Sequence, residues 1–469
     1  MKVLLTHGYF LFEDPKEAKI MRPYPPLGLL YLAAWLDECG IDNAVFDATF
    51  KRKEDLWAYL DDHQPAYVGV YVNLMTKLNA LEVIKYVKAN LPNTRVFVGG
   101  PDVRYNAENL LQTGADYVVI GEGEETTQEL FEYMEGNERP LEEISGLAYL
   151  NEAGEYQENK ERTKIRDMNQ LPMPARHKID MQAYFKAWKD HHGQSAMTVS
   201  TMRGCPYTCK WCSRAVYGLS YRRRSPKLVA EELVHIRDNF NPDTLWIVDD
   251  VFTVNPKWMR EFRDAIQEAG VKIPYECISR ADRLNEEMIQ ILKETGCFRV
   301  WIGAESGSQK IIDAMDRRVS VQKTREMIQL AQSEGIQAGT FIMLGYPGET
   351  QEDIEETIHH LKVSDPDHFT ITVAYPIRGT ELFDEVKDQQ VSAPDWAVST
   401  DRDIDFVRTF PRKYYDYAVA HVTTSVHLHK MQKRGQLLRP GAARLLATNL
   451  RARAGMWWVR NTQKPPTVA

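Results

Sequence analysis

Short β-branched runs alternate with amphipathic stretches along the first 135 residues. Val3–Thr6, Ala44–Asp47, Tyr67–Val72, Arg95–Val98 and Tyr117–Ile120 are dominated by apolar side chains, the pattern of strands covered on both faces. Between them, Gly28–Glu38, Asn79–Asn90 and Glu124–Met134 repeat apolar residues at helical spacing. Five such strands with intervening helices predict a doubly wound parallel sheet, which binds ligands at the carboxyl ends of its strands. Gly99-Gly100-Pro101 and Gly121-Glu122-Gly123-Glu124 fall at those ends.

The pattern changes over residues 136–195, where turn residues such as Asn151 and Gly154 and the run Leu171-Pro172-Met173-Pro174 read as a connector. A second alternation occupies residues 196–385, with strands expected near Met197–Thr201, Thr244–Val248, Tyr275–Ser279, Arg299–Gly303, Gly339–Leu344 and Phe369–Ala374. Six βα units predict a partial (βα)6 barrel, and barrels of this kind work at the C-terminal ends of their strands. Residues 386–469 turn irregular and then helical, with Tyr414–Lys433 and Ala442–Trp458 the clearest candidates, and form a C-terminal helical region. The expected division is thus 1–135, 136–195, 196–385 and 386–469.

Composition narrows the classes. The 469 residues are 43% hydrophobic and 26% charged, as in ordinary globular proteins, and too many for one core. A net charge of -8 argues against the broad positive field that non-specific nucleic-acid binding needs, so no nucleic-acid partner is expected. The C-terminus departs from this balance: Arg434, Arg439, Arg444, Arg451, Arg453 and Arg460 have no acidic residue among them. With Trp457 and Trp458 beside them, they suit either peripheral contact with a membrane and a lipid-like substrate, or a packed helix with a solvated basic face. The chain opens with a strand pattern instead of a secretion signal, and no stretch is apolar enough to span a bilayer. Six cysteines are too few for a disulfide scaffold in so long a chain, so a cytoplasmic protein is expected.

Three of those cysteines carry the chemistry. Arg203-Gly204-Cys205-Pro206-Tyr207-Thr208-Cys209-Lys210-Trp211-Cys212 spaces its thiols C-x3-C-x2-C, which lets one loop ligate three irons of a [4Fe-4S] cubane and leave the fourth open. The triplet directly follows the first predicted barrel strand. These residues resemble the radical S-adenosylmethionine (SAM) superfamily, in which the open iron holds the amino and carboxylate groups of SAM and the reduced cluster releases a 5′-deoxyadenosyl radical. The resemblance places Trp211 near the adenine, with simple packing as the alternative. Ile302-Gly303-Ala304-Glu305-Ser306-Gly307-Ser308 and Gly345-Tyr346-Pro347-Gly348-Glu349-Thr350 are similar to further motifs of that superfamily. By this likeness Glu305 and Ser306 would hold SAM, and Gly345 and Gly348 would let backbone approach the adenine. Arg280, closing the third barrel strand, is a candidate for the SAM carboxylate or a structural ion pair. Asp249 and Asp250 either contact a ligand or cap the next helix. No residue is singled out as a catalytic acid or base.

Tyr24–Ala33, Val98-Gly99-Gly100-Pro101 and Ile120-Gly121-Glu122-Gly123-Glu124 together resemble the cobalamin-binding domain that precedes the barrel in a large class of radical SAM enzymes. The resemblance covers residues 1 to about 385 and implies that Asn73 and Met75 lie under the corrin while Gly99, Gly100, Gly121 and Gly123 admit the nucleotide tail. No Asp-x-His-x-x-Gly motif is present; His7 precedes Gly8 without the aspartate, which implies a cobalamin held without an axial histidine. The leading reading is a cobalamin-dependent radical SAM methyltransferase acting on an unactivated carbon. Oxidation, cyclisation or rearrangement, as in the anaerobic magnesium-protoporphyrin ester cyclases that the chain also resembles, is the alternative, and a non-enzymatic cobalamin or redox sensor a third. A reducing system such as flavodoxin or ferredoxin is an expected partner, with a small-molecule or lipid-like substrate. Cys39 and Cys297 are read as packing residues, Cys277 as a residue that could face the barrel cavity, and His421, His427 and His429 as non-metal histidines.

Overall fold

All five predicted N-terminal strands form. In the computed structural model, which describes residues 2–136, 139–391 and 394–463, β1 (Val3–His7), β2 (Asn43–Phe46), β3 (Tyr67–Tyr71), β4 (Arg95–Gly99) and β5 (Tyr117–Val119) pair in parallel in the order β2-β1-β3-β4-β5. Alternate residues point to opposite faces, and the core divides accordingly. Leu4, Val68, Val70, Val96, Val98 and Val118 join one apolar cluster, and Val3, Leu5, Phe97 and Val119 join another. Helix Lys77–Asn90 covers the first face through Leu81, Ile84 and Val87; helices Leu27–Glu38 and Gly123–Met134 cover the second through Leu29, Ala33, Leu130 and Phe131. The doubly wound expectation is met, with one addition. β6 (Leu147–Leu150) and β7 (Tyr156–Glu158), from the stretch read as a connector, extend the sheet as an antiparallel hairpin turned by Asn151 and Gly154.

Further along lie β8 (Ala196–Val199), β9 (Met202–Arg203), β10 (Arg222–Arg223), β11 (Thr244–Ile247), β12 (Tyr275–Ser279), β13 (Cys297–Glu305), β14 (Gln337–Leu344) and β15 (His368–Val373). Six of them hydrogen-bond in the order β15-β14-β13-β12-β11-β8, the consecutive order of an open barrel, with β12 to β15 parallel. β9 and β10 form a separate two-residue antiparallel ladder.

By contact density the chain divides into two units: Met1–Pro206 with Arg214–Trp246 and Asp395–Thr400, and Tyr207–Ser213 with Ile247–Pro394 and Asp401–Ala469. Within the second, helix Arg412–Lys433 buries Tyr414, Ala418, Val422 and Val426 against Ile354, Ile358 and Leu361 of helix Gln351–Ser364 and against Ile342 and Leu344 of β14. Helix Pro440–Thr462 then packs on it through Met456 and Val459. Asn449 ties the pair together by donating to His421 Nδ1 (3.0 Å) and to Thr424 Oγ1 (2.9 Å). His421 is therefore a satisfied core residue whose Nε2 meets Glu355 at 3.1 Å. Among the described residues no helix is long and apolar enough to cross a membrane.

Candidate active site

The thiol loop is rooted in the first unit by buried charge. Arg203, on β9, donates through Nη1 to Glu122 (2.8 Å) and through Nη2 to Glu124 (2.5 Å), and its guanidinium lies near the rings of Tyr31 and Tyr217. Arg222, opposite it on β10, donates to the other Glu122 oxygen at 2.6 Å. Burial pushes the Glu124 carboxyl up, but Arg203 outweighs burial and holds it below the usual carboxylate range. Close by, buried Glu232 takes Arg176 at 2.7 Å and Arg224 on its other oxygen. Gly204 follows Arg203 at φ +83°, and a Cβ there would stand 2.2 Å from Ser220 Oγ, so only glycine can lead into Cys205. In the sequence Gly121-Glu122-Gly123-Glu124 stands out through its glycines. Its carboxylates in fact anchor the arginine two residues before Cys205, a pairing across some 80 positions that no local pattern displays.

Residues 207–213 pack within the second unit. Lys210 N donates to Met315 O (3.2 Å) and Lys210 O accepts from Leu382 N (2.9 Å), while Thr208 Oγ1 donates to Asp316 (2.7 Å). Arg280 is buried: Nε donates to Asp282 (2.9 Å), Nη2 to Arg317 O (2.7 Å) and Nη1 to Cys209 Sγ (3.6 Å), with the guanidinium 3.9 Å from the Tyr207 ring centre. Its structural-pair alternative thus has a definite form, a clamp on the thiol loop. Trp211 packs on a cluster of Ile311, Met315, Tyr346, Leu382, Val386 and Phe406, which includes Tyr346 of the fifth-strand motif.

Glu305 ends β13 at φ +64°, beyond a register shift between Gly303 and Glu305. A left-handed backbone on a non-glycine residue costs about 1–3 kcal/mol and marks a position whose side chain must be aimed. The carboxyl is buried, and burial pushes it above its usual range despite Arg317 at 3.5 Å. Arg317, not singled out from the sequence, also donates to Gly303 O (2.6 Å) and lies 5.6 Å from the Trp211 ring centre. Neighbouring Ser306 is occupied locally: its hydroxyl accepts from Ser308 N and pairs with Thr357.

Gly345 N donates to Glu349 Oε2 at 2.6 Å, whereas Glu349 Oε1 is buried without a partner. Gly348 leaves open space where a Cβ would stand. Burial drives the Glu349 carboxyl from 4.5 up to about 8. The folded state therefore keeps a proton that the unfolded state loses, and stability falls by roughly 1.4 kcal/mol per pH unit as pH rises from the unfolded to the folded value. Glu349→Gln removes this loss, so its melting temperature should vary less between pH 5 and 8 than that of the parent. Parallel profiles would show the carboxyl ionised throughout.

In the first unit, the order β2-β1-β3 puts the switch point between β1 and β3. Asn73, beyond β3, accepts from Met75 N (2.8 Å) and Thr76 N (2.9 Å) and so shapes the loop, while Met75 is exposed. Gly100, at φ +117°, has Val72 O 2.4 Å from a would-be Cβ. Gly99, Gly121 and Gly123 have no atom closer than 3.7 Å to theirs, and Thr127 Oγ1, beside Gly123, is buried without a partner. His7 is spent elsewhere: Nδ1 accepts from Tyr9 N and Nε2 faces Asp47 at 3.0 Å.

Of the other expected residues, Asp249 is buried and Asp250 exposed. Cys277 lies 4.0 Å from Cys297, sulfur to sulfur, and burial drives its thiol well up; packing accounts for both.

Residues 199–361 match the radical SAM superfamily and residues 18–131 the B12 binding domain. An uncharacterized methyltransferase of Pyrococcus horikoshii is 32% identical over 82% of this chain and 83% of its own. The chain belongs to the cobalamin-binding radical SAM superfamily. The cytidylyl-2-hydroxyethylphosphonate methyltransferase of Streptomyces wedmorensis is 25% identical over 77% of each chain. The cobalamin-dependent SAM radical enzyme OxsB, solved with aqua-cobalamin, shares the fold at TM-score 0.75 and 17% identity, over 98% of this chain and 77% of that one.

This radical SAM enzyme takes a [4Fe-4S] cluster, SAM and cobalamin. Among the described residues no three His, Cys, Asp or Glu side chains stand ready-gathered as a metal shell. The donor set nonetheless fits a cubane: all three loop cysteines are outside disulfides, and the Arg280 guanidinium beside Cys209 complements the charge of a metal-bound thiolate. For cobalamin, the open space at Gly99 and Gly123 and the unpartnered Thr127 hydroxyl fit a polar ligand group that these residues would hold. For SAM, the buried acceptor of Glu305 fits an amino or hydroxyl donor.

Proposed function

We propose that this enzyme methylates an unactivated carbon of a small-molecule or lipid-like substrate. The observation that carries the reading is the likeness to a methyltransferase over 82% of this chain, together with the match to both the B12 binding and the radical SAM models. When bound, the cluster with SAM supplies the deoxyadenosyl radical, and cobalamin supplies the methyl group. Cys205, Cys209 and Cys212 would hold the cluster, with Arg280 positioning their loop from the Cys209 side. Glu305, aimed by its left-handed backbone, would accept from SAM, and Arg317 would fix its orientation. Trp211, Gly345 and Gly348 would shape the adenine site, with Ser306 acting through the turn. Asn73 and Met75 would lie on the lower corrin face, and Gly99, Gly100, Gly121 and Gly123 would line the tail. With both its ring nitrogens engaged, His7 would not be among the residues that hold cobalamin.

A low-potential reductant such as flavodoxin or ferredoxin would be the electron donor, and the cytoplasm the compartment. The test is anaerobic reconstitution followed by incubation with methyl-labelled SAM and extract of the host cell. Label is expected in a lipid, small-molecule or peptide product together with deoxyadenosine. Deoxyadenosine with an unlabelled, oxidised or cyclised product would assign cyclase-type chemistry instead.

A further inference from the structure

Helix Pro440–Thr462 carries two apolar faces. One, including Ala442, Asn449, Ala452, Met456 and Val459, is buried. The other is exposed among the described residues, touched only at its border, where Lys413 Nζ stands 5.2 Å from the Trp458 ring centre and Arg460 donates to Gln351. Leu446 is 52% exposed, Leu450 55%, Trp457 63% and Trp458 44%, and Leu438, just before the helix, is 100% exposed. At 100° per residue, Leu446, Trp457 and Leu450 fall within about 40° of one another. Exposed Ala443, Ala454 and Ala447 continue the same strip round to Trp458. Arginines border it on both sides: Arg453 and Arg460 along one edge, Arg444 and Arg451 along the other, all exposed.

Charge identifies the occupant. From residue 417 to the end the sequence has no aspartate or glutamate, although the whole chain is net acidic at -8. A second copy docking by a two-fold contact would set this arginine-bordered face against itself, like charge against like. A bilayer with anionic headgroups meets every feature at once. Leucine and tryptophan side chains enter the acyl boundary, tryptophan rings favour the interface, and arginines on both flanks reach phosphates at the same depth. No helix among the described residues spans a membrane, so this contact would be peripheral.

We propose that the exposed face of helix Pro440–Thr462 docks the enzyme on an anionic phospholipid surface. The proposal is independent of the reaction and of which cofactors are bound. The full chain is sedimented with vesicles of phosphatidylcholine alone or of phosphatidylcholine with phosphatidylglycerol. Binding to the anionic vesicles is expected to be at least about tenfold tighter, and to weaken as salt is raised. Arg444→Glu with Arg451→Glu, and separately Leu450→Ser with Trp457→Ser, should each lower anionic-vesicle binding at least about tenfold while leaving thermal melting unchanged, since all four side chains are exposed. The salt titration of the unmodified chain needs no variant and stands by itself. Equal binding to both vesicle types, binding to neither, or a concentration-dependent dimer that the same substitutions dissolve would overturn the proposal.

Discussion

Replacing Cys209 with alanine is expected to abolish 5′-deoxyadenosine formation and the visible absorbance of a reconstituted cluster, while cobalamin uptake persists. The loop offers three thiols for three of four irons, with no surplus ligand. Among the described residues no three His, Cys, Asp or Glu side chains, the triplet included, stand ready-gathered, so it is the loop spacing that assigns the ligands. Cys209 is the buried member of the triplet and the one beside Arg280, so its loss removes both a ligand and the contact that draws the loop to that guanidinium. Cys205→Ala and Cys212→Ala should behave alike. The checks are iron and sulfide content, the cluster absorbance, and deoxyadenosine by chromatography, with bound cobalamin measured on the same sample. A Cys209→Ala protein retaining both absorbance and SAM cleavage would place the cluster elsewhere. Loss of cluster and cobalamin together would point to a structural role for the loop.

Arg203→Met should cost about 3–5 kcal/mol of stability, because removing one partner of a buried ion pair strands the other charge. Arg222 can still neutralise Glu122, but Glu124 loses the cation that keeps its carboxyl below the usual range. Denaturant midpoints measured at pH 7 check this. The pH dependence has a definite sign. A carboxyl depressed in the folded state contributes stability above its unfolded value of 4.5, and that contribution fades as pH falls through the folded value. The gap between parent and Arg203→Met should therefore narrow on acidification below that value. Arg203→Lys, which keeps charge but loses the fork that reaches two carboxylates, should fall between them. A gap below 1 kcal/mol, on the scale of an exposed pair, would mean that water reaches the cluster of charges.

Much of the molecule was legible from residues alone, and the reasons differ by feature. Strands such as Val3–His7 open on an apolar run, here Val3-Leu4-Leu5, and several such runs alternating with helical stretches point to covered parallel strands. The thiol loop was legible because ligand spacing within one turn is a local property. The β6–β7 hairpin showed its turn residues, but not that its strands would continue the sheet, since pairing with β5 depends on an edge created by distant segments. Glu122 and Glu124 looked like parts of a glycine turn, and their partner Arg203 lies far along the chain. Arg317 gave no signal because its role rests on the fold of the segment after helix Gln309–Ala314.

The sequence by itself determined the element types, the presence of a three-thiol loop after a barrel strand and the glycine-marked strand ends, because each follows from periodicity or spacing over a few residues. Only the tertiary structure decided what the charged side chains do. Arg280 grips the Cys209 side of the loop, the glutamates of the Gly121–Glu124 turn hold Arg203, and Glu349 keeps one carboxyl oxygen buried and unpaired. A charge finds its partner through space, and the energy of that pairing depends on burial, which no one-dimensional pattern encodes.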